Sequence, residues 1–475
     1  MSAAQGSPPL PPVRPVAAAE VARALDGAPR VVFLDDDPTG TQTIRDLPVL
    51  TRWGVEDVRW ALGRPGAGFF VLTNTRSLAP DRAAARDREV VEACLAASAA
   101  EGVALVFASR SDSTLRGHFP LETDVVGEVL AEHGGGVDAV LLAPAFTDAG
   151  RLTIRGVHHV RTPEGLVPVA DSEFARDATF GYRSSRLADW VAEKSGGRIP
   201  AEGVVELTVD AIRPGTTDDL AARLAAVRGG GVVAVDSAVD DDLRAVALAV
   251  LAAERGGARL VYRIGPSFVR ARVGQDAQPP IDDATLADLV GSDAHGLVVV
   301  GSHVALTSTQ LARLGERRRF AAVELDVPTL LDDARAGEHL DAAVAAATAA
   351  LASGPVVLST SRTLVTGADE ATSLDVARRV SAALSRTVGR VVAGRRPGYV
   401  VAKGGITSSD VATHALGIDR AVVRGSLLPG IVSLWEPVSG PAAGLPYVVF
   451  AGNVGDADSL ADVVDRLEGA VGSRS

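Results

Sequence analysis

The chain has 475 residues, of which 47% are hydrophobic, and this length predicts about two or three domains rather than one. The formal net charge is −12 and no block of Lys or Arg is present, so a nucleic-acid-binding surface is not expected. One cysteine, Cys94, excludes an internal disulfide and a multi-cysteine metal site, and it suits a cytoplasmic protein.

In chain order, residues 1–28 are predicted to be a disordered tail because of their Pro-rich composition, and the N-terminus lacks the basic and apolar regions of a signal peptide. No apolar run approaches the ~20 residues that span a bilayer, so no membrane partner is expected. Short apolar runs then alternate with helical stretches. The strand-like runs are VVFLD, FFVLTN, ALVFAS, AVLLAP, VVAVDS and LVYRI, followed by GLVVVGS, AAVELDV, PVVLSTS, YVVAKGG and YVVFAGN.

Helices are predicted between these strands, for example over Pro80–Ala100, Asp240–Arg255, Leu340–Ala352 and Thr372–Ala393. This alternation predicts an α/β fold of two domains with mainly parallel sheets. The stretch from 274 to 295 contains Pro-Pro, an acidic pair and no strand pattern, and is taken as the linker region. The domains are therefore expected at 29–273 and 296–475.

Ligands of open α/β sheets bind beyond the carboxyl ends of the strands. In the first half these ends carry Asp, Arg, Ser and Thr, as in DDDPTGT from Asp35 and SRSDSTLRGH from Ser109. Carboxylates accept hydrogen bonds from hydroxyls and Arg forks bind carboxylates, so a polyhydroxylated acid is the expected ligand. The alternative for Asp112 is an ordinary helix cap with solvated arginines around it.

In the second half the strand ends carry Gly, Ser, Thr and one Lys, which favours phosphate binding by backbone N–H groups. The strongest candidate is KGGITSSDVATHAL, starting at Lys403, although a tight turn with a normal cap is the alternative. Lysine occurs only at Lys194 and Lys403, and the other 45 of the 47 basic residues are Arg. Lys194 is interpreted as a cation at a helix end, whereas Lys403 is a candidate functional residue.

Several common site signatures are missing from the sequence. It contains neither a Walker A loop nor a strand-linked GxGxxG, so it lacks the signatures of P-loop kinases and Rossmann dehydrogenases. The histidines show no metal-ligand spacing. The adjacent His158 and His159 lie in a predicted strand, point to opposite faces and are interpreted as structural.

A phosphatase of the haloacid-dehalogenase type is a competing hypothesis. Asp35-x-Asp37-x-Thr39 after an apolar strand matches the nucleophile motif of those enzymes, with Asp35 as nucleophile and Asp37 as acid/base. In this hypothesis Lys403 would be their lysine. Their acidic Mg²⁺ loop would be GNVGDADSLAD, with Asp456, Asp458 and Asp462.

Taken together, the strand-end segments resemble those of the four-carbon acid sugar kinase family, from about Val31 to Leu467 and in the same order. The matching segments are DDPTGT (36–41), NTRS (74–77), SRSDSTLRGH (109–118), APAFTDAGR (143–151), GS (301–302), GGIT (404–407), PG (429–430) and FAGNVG (450–455).

The resemblance implies an N-terminal acid-sugar-binding domain, a C-terminal nucleotide-binding domain and an active site in the interdomain cleft. It implies phosphoryl transfer from ATP, with Mg²⁺, to the terminal hydroxyl of a four-carbon sugar acid of the threonate, erythronate or oxo-tetronate class. Asp36 and Asp37 would be catalytic. The substrate would be bound by Asp36, Arg76, Arg110, Ser111, Asp112 and Ser113, with Arg76 and Arg110 on its carboxylate. The nucleotide would be bound by Ser302, Lys403, Gly404, Gly405, Ile406, Thr407, Gly452 and Asn453; the metal ligands are not identified.

Two departures from the family pattern affect these expectations. The lysine of the family's KSGNFG is Phe450 here, while Lys403 precedes the Gly pair, so one ammonium is expected to have been relocated towards the same phosphates. The Lys pair of KKIDST is Ser109-Arg110, which leaves the choice of acid open. The expected partners are a small sugar acid and ATP; a homo-oligomer and a non-catalytic sensor of both ligands remain open.

Overall fold

The computed structural model describes residues 8–291, 294–363, 365 and 370–471. The chain divides into two compact units. The first contains the residues up to Asp36 and Trp53–Ala277, and the second contains Asp37–Arg52 and the residues from Gln278 onwards. The predicted α/β fold with mainly parallel sheets is confirmed.

The strands, in chain order, are β1 (Arg30–Asp35), β2 (Pro48–Leu50), β3 (Gly68–Leu72), β4 (Leu105–Arg110), β5 (Ala139–Ala143), β6 (Arg151–Ile154), β7 (Val157–Thr162), β8 (Gly165–Pro168), β9 (Val205–Leu207), β10 (Gly231–Val235), β11 (Leu260–Ile264), β12 (Leu297–Val300), β13 (Ala321–Leu325), β14 (Val356–Thr360), β15 (Val400–Lys403), β16 (Arg420–Leu428), β17 (Val432–Pro437) and β18 (Tyr447–Phe450). Each of the eleven apolar runs predicted as a strand is one.

The helices are α1 (Ala18–Ala24), α2 (Val55–Leu62), α3 (Pro80–Glu101), α4 (Leu121–Glu132), α5 (Leu187–Lys194), α6 (Val209–Ile212), α7 (Thr217–Ala226), α8 (Asp240–Arg255), α9 (Pro266–Arg272), α10 (Asp283–Val290), α11 (Ala305–Arg317), α12 (Val327–Leu331), α13 (Ala336–Ala350), α14 (Glu370–Gly394), α15 (Gly405–Asp410) and α16 (Ser459–Ala470). The four helices predicted as examples correspond to α3, α8, α13 and α14.

The first unit contains a parallel sheet in the order β3-β1-β4-β11-β5-β10-β9. Its strands are apolar and almost entirely buried, as expected for a sheet covered by helices on both faces. In the β1–β4 pair, Asp35 is in register with Arg110, so two charged side chains end neighbouring strands. A separate antiparallel sheet, β6-β7-β8, carries residues 151–168.

The second unit contains the order β13-β14-β12-β15-β18-β17-β16-β2, parallel from β13 to β18 and antiparallel beyond it. Lys403, which ends β15, is in register with Phe450, which ends β18. Their side chains therefore leave the sheet on the same face.

The segment 37–52 groups with the second unit, although the sequence analysis placed it in the first half. Its β2 pairs with β16, and the Thr41 hydroxyl lies 2.8 Å from that of Ser433 and accepts from the indole N–H of Trp435 at 2.9 Å. Because these groups are buried, losing the contacts would leave polar atoms without partners. The segment is therefore an integral part of the second unit's core.

The described part of the expected N-terminal tail is folded, whereas residues 1–7 lie outside the described residues. Residues 18–24 form α1, and Val16 and Val21 are buried. The side chain of Arg14 donates to the carbonyl of Gly215. Proline-rich composition concealed a short apolar pattern that packs on the first unit.

The expected linker region, 274–295, contains α10, with Asp282 as its N-cap. Leu286 and Val290 of this helix belong to the core of the second unit together with residues of α16. Residues 292 and 293 of the region lie outside the described residues. In the described part of the chain, no helix is both long enough and apolar enough to cross a membrane.

Candidate active site

Asp35 and Asp36 close β1 inside the first unit, and both side chains are buried. Arg110 donates to Asp35 and lies 3.4 Å from Asp36, while Arg76 donates to Asp36 Oδ1 at 3.0 Å. β1 lies between β3 and β4, so the residues that follow these strands reach it from both sides. Arg110 is thus paired with two carboxylates. To bind the carboxylate of a ligand, it would have to give up one of these two ion pairs.

Asp36 has one carboxylate oxygen available for a ligand. Its buried Oδ2 has no hydrogen-bond partner among the described residues. Burial raises the pKa of Asp36 to about 6, while the charges of Arg76 and Arg110 act in the opposite direction. A buried acceptor without a donor costs free energy, which a ligand hydroxyl would offset.

Two further buried carboxylates surround Asp36. Glu122 of α4 accepts from the hydroxyls of Thr75 and Ser109, each at 2.7 Å. Asp87 of α3 has no hydrogen-bond partner for either oxygen among the described residues. Burial raises the pKa of Asp87 well above its usual value, and the charges of Glu122 and Asp36 raise it further.

The loop after β4 presents Asp112 between two buried serines, Ser111 and Ser113. Arg116 Nε donates to Asp112 at 2.6 Å. Burial alone would raise the pKa of Asp112, but the charges of Arg116 and Arg76 and the hydrogen bonds it accepts hold the pKa well below its usual value. The anionic form of Asp112 is therefore favoured, and it can accept hydrogen bonds from hydroxyls.

Gly117 allows this loop to approach Asp36. Its φ is +118°, and a Cβ there would lie 3.2 Å from both Asp36 Oδ2 and a guanidinium nitrogen of Arg263. From the other side, His158 lies 2.7 Å from the carbonyl of Ser113. His158 is fully buried within β7, so its structural interpretation holds, and its position fixes the loop.

The second unit gathers a glycine-rich cluster at the ends of β12, β15 and β18. Gly404 has a φ of +127°, and Cβ atoms built on Gly301 and Gly452 would lie 2.3 Å from Thr407 Oγ1 and 2.6 Å from Ser302 Oγ, respectively. A larger side chain at Gly301 or Gly452 would have to displace the hydroxyl of Thr407 or Ser302. The arrangement leaves backbone close to the start of α15, which suits an anion.

Lys403 is fully buried behind this cluster. Its ammonium donates to the carbonyl of Ala451 at 2.6 Å and lies 3.7 Å from the ring centroid of Phe450. Burial lowers the pKa of Lys403 to about 7. The ammonium therefore supports the strand end just before Gly452 and is titratable near neutral pH.

Asp37 belongs to the second unit, unlike its neighbour Asp36. Its Oδ1 accepts from the amide and hydroxyl of Thr39 at 2.9 and 2.6 Å, and its Oδ2 would lie 2.7 Å from a Cβ on Gly405. Across the described ranges, no three His, Cys, Asp or Glu side chains come together as a metal cluster.

A cavity of about 380 Å³ adjoins the glycine cluster. Val376, Val380 and Leu384 of α14 form an apolar wall, while Gly301 and Thr407 lie at its other side. Ile406 also lines it and is 60% exposed, and Asn453 is exposed at the end of β18. The volume is in the range of small-molecule sites.

Each half of the chain matches the model of a known domain family. Residues 31–272 match the model of a sugar-binding N-terminal domain, and residues 297–460 match that of a nucleotide-binding C-terminal domain. The chain is 30% identical over 446 residues to the D-threonate kinase of Bordetella bronchiseptica, covering 91% of this chain and 96% of that protein.

The chain belongs to the four-carbon acid sugar kinase family.

Other members of this family are also similar. The D-erythronate kinase of Heliobacterium modesticaldum is 26% identical over 84% of this chain and 86% of its own length. The 3-oxo-isoapionate kinase of Paraburkholderia graminis is 33% identical over 40% of this chain and 43% of its own length. The fold matches solved structures from Salmonella typhimurium LT2 (TM-score 0.65, 20% identity, 91% and 98% coverage) and Haemophilus influenzae (TM-score 0.60, 17% identity, 93% and 100% coverage).

The phosphatase hypothesis finds no support in this kinase family member. Asp35, its nucleophile, is buried against Arg110. Asp458 and Asp462 of the expected metal loop instead form surface ion pairs with Arg313 and Arg317. Such exposed pairs are typical of a solvated helix start.

The structure therefore brings together Asp36, Arg76, Arg110 and the 111–113 loop in the first unit, and Ser302, Lys403 and the two glycine segments in the second. Sequence reasoning did not identify Asp87, Glu122 or Arg263 as part of the site. Two of these had a signal: Arg263 interrupts an apolar strand, and Asp87 lies at helical spacing from Ala83 and Val91 on a buried face. Glu122, at a helix start, had none.

The Asp35–Arg110 pair generates a stability prediction. Replacing Arg110 by Gln removes a positive charge that faces two buried carboxylates. We therefore expect the free energy of unfolding to fall by about 3–5 kcal/mol. Native-state hydrogen exchange of the β1 and β4 amides measures it. Arg88→Gln, which removes exposed ion pairs with Glu128 and Glu132, is the control and should cost at most about 1 kcal/mol. Equal, small effects of both changes would contradict the assignment.

Proposed function

We propose that this protein is an ATP-dependent kinase that phosphorylates the terminal hydroxyl of a four-carbon sugar acid. The observation that carries the proposal is the buried, unpartnered Oδ2 of Asp36, surrounded by arginines in the unit that matches a sugar-binding domain. The relatives, named D-threonate, D-erythronate and 3-oxo-isoapionate kinases, support this substrate class.

Asp36 would accept the proton of the attacking hydroxyl. With a pKa of about 6 it is mostly ionised at pH 7 yet basic enough to hold a proton, as a general base requires. The hydroxyl oxygen forms the new bond to the γ-phosphorus, the bond to the ADP oxygen breaks, and the proton passes to Oδ2. Asp112 would order the remaining hydroxyls, and Arg76, 19% exposed, would face the acid.

The second unit would hold ATP. The glycine cluster, with Ser302 and Thr407, would receive the phosphates, and the adjoining apolar cavity would receive the base. Mg²⁺ usually takes one or two carboxylates together with phosphate oxygens. Asp37, which lies against Gly405, fits this role, and a bound Mg²⁺ would neutralise phosphate charge.

A coupled assay of ADP release over D-threonate, D-erythronate, their L-isomers and the corresponding oxo-acids tests the function. We expect ATP-dependent turnover with at least one of these acids. Phosphate release from sugar phosphates without ATP would instead indicate a phosphatase. Binding of ATP and acid without turnover, measured by calorimetry on the same samples, would indicate a sensor and overturn the proposal.

The general-base role predicts a pH dependence. Asp36 is active when deprotonated, so kcat/KM for the acid should rise with pH through about 6 and then level off. Asp36→Asn should reduce kcat by about 10²–10⁴-fold and abolish this dependence. Asp35→Asn, the matched control in the adjacent position, should be better tolerated. An inactive Asp35→Asn beside a nearly normal Asp36→Asn would reverse the two roles.

Lys403 and Phe450 are in register on neighbouring strands. We therefore expect that a lysine at either position can place its ammonium beside the Ala451–Gly452 turn. Lys403→Met should raise the KM for ATP, because the support of the Ala451–Gly452 turn and its charge are lost. Adding Phe450→Lys should recover much of the loss. In the unmodified protein, the KM for ATP should rise above pH 7 as Lys403 loses its proton. Failure of the double variant to recover, with its fold intact by circular dichroism, would contradict the proposal.

A further inference from the structure

Among the described residues, Arg151 of the first unit is a cation without an ion-pair partner. It begins β6, immediately after Gly150, whose φ of +70° turns the chain. Backbone hydrogen bonds in both directions with Phe146 fix its position, at 2.9 and 3.0 Å. Its Nη1 donates to the carbonyl of Ala149 at 2.7 Å, but its buried Nε has no partner among the described residues.

The charges around Arg151 make this position unfavourable for an isolated cation. Its guanidinium carbon lies 5.9 Å from the ring centroid of Phe174, and that of Arg116 lies 5.2 Å from the same ring. Arg116 is paired with Asp112 and Asp177, whereas Arg151 forms no ion pair within the described ranges. Burial lowers the pKa of Arg151, which the charge of Asp112 only partly offsets. Charges that are partly buried usually have a partner.

The geometry also connects Arg151 with the candidate substrate loop. The antiparallel sheet that carries Arg151 also carries His158, whose Nδ1 lies 2.9 Å from the Thr153 hydroxyl and whose Nε2 lies 2.7 Å from the Ser113 carbonyl. The Tyr182 hydroxyl donates to the next residue of the loop, Thr114, at 2.6 Å. The sheet and the 111–116 loop are thus joined by hydrogen bonds, and the charge of Asp112 in this loop acts on Arg151.

We propose that Arg151 binds the carboxylate of the acid and so distinguishes sugar acids from uncharged sugar alcohols. This inference rests on the proposed function for the identity of the ligand. The guanidinium would offer its Nε and its remaining Nη donors as a fork to the two carboxylate oxygens. Asp112 and Asp36 would then receive the hydroxyls, and the uncharged alcohols would leave Arg151 without an anion.

The test compares the unmodified protein with Arg151→Gln, using calorimetric binding of D-threonate and D-erythronate without nucleotide. We expect Arg151→Gln to weaken binding of the acid about ten- to a hundredfold and to leave ATP binding unchanged. Turnover of erythritol and threitol should be unaffected, so that the preference for acids over alcohols falls by the same factor. Arg151→Lys should keep part of the preference, because it keeps the charge.

Arg161→Gln is the matched control, since Arg161 is an exposed arginine of the same sheet. It should leave binding and preference unchanged. Unaltered acid binding in Arg151→Gln, or an equal loss for acids and alcohols, would overturn the inference while leaving a kinase intact. An unmodified protein that binds acids through Arg151 without phosphorylating them would overturn the proposed function alone. If the unmodified protein binds no sugar acid, both are wrong.

Discussion

Two consecutive carboxylates buried at the end of one strand are the constraint on which the first unit depends. Burial disfavours the charged form of a carboxyl group, and the cations beside Asp35 and Asp36 counteract this effect. The parallel register supplies Arg110 directly opposite Asp35, and the turn after β3 supplies Arg76. The strand order therefore determines the electrostatics: exchanging β1 with an outer strand would leave the aspartates without partners on one side.

These cations do not provide hydrogen-bond donors for every carboxylate oxygen, and the oxygen that is left without a donor indicates where a ligand binds. The pairs use Asp35 and one oxygen of Asp36, so that the second oxygen of Asp36 is left for a hydroxyl. Burial and the charges of Glu122 and Asp36 raise the pKa of Asp87, which disfavours a further negative charge beside Asp36. Because the chain passes from one unit to the other between Asp36 and Asp37, a single peptide bond connects the candidate base with the loop beside Gly405. The DDD run thus serves two units rather than one.

The sequence was sufficient to predict the parallel strands, because strands buried on both faces are continuous apolar runs, and it showed which polar residues follow them, where ligands of such sheets bind. The antiparallel strands β16 and β17 were not predicted, and of the sheet β6–β8 only the strand around His158 and His159 was expected, since these residues alternate between exposed and buried or are interrupted by polar positions. The sequence analysis placed segment 37–52 in the first domain, whereas its contacts group it with the second unit, for a related reason. Its anchor, the contact of Thr41 with Trp435, joins residues almost 400 positions apart, and no local pattern encodes it.

The use of arginine at some buried positions and of lysine at another also depends on which donors can find acceptors there. The first unit holds its carboxylates with arginines, whose planar forks donate to several acceptors at once and remain charged when buried. At position 403 the available space lies between one ring and one carbonyl, with no exposure to solvent. A guanidinium there would bury donors without acceptors, whereas an ammonium, which is compact and loses its proton near neutral pH, tolerates the site. A chain that uses Arg at nearly every other basic position has kept Lys403 where only the smaller cation satisfies its surroundings.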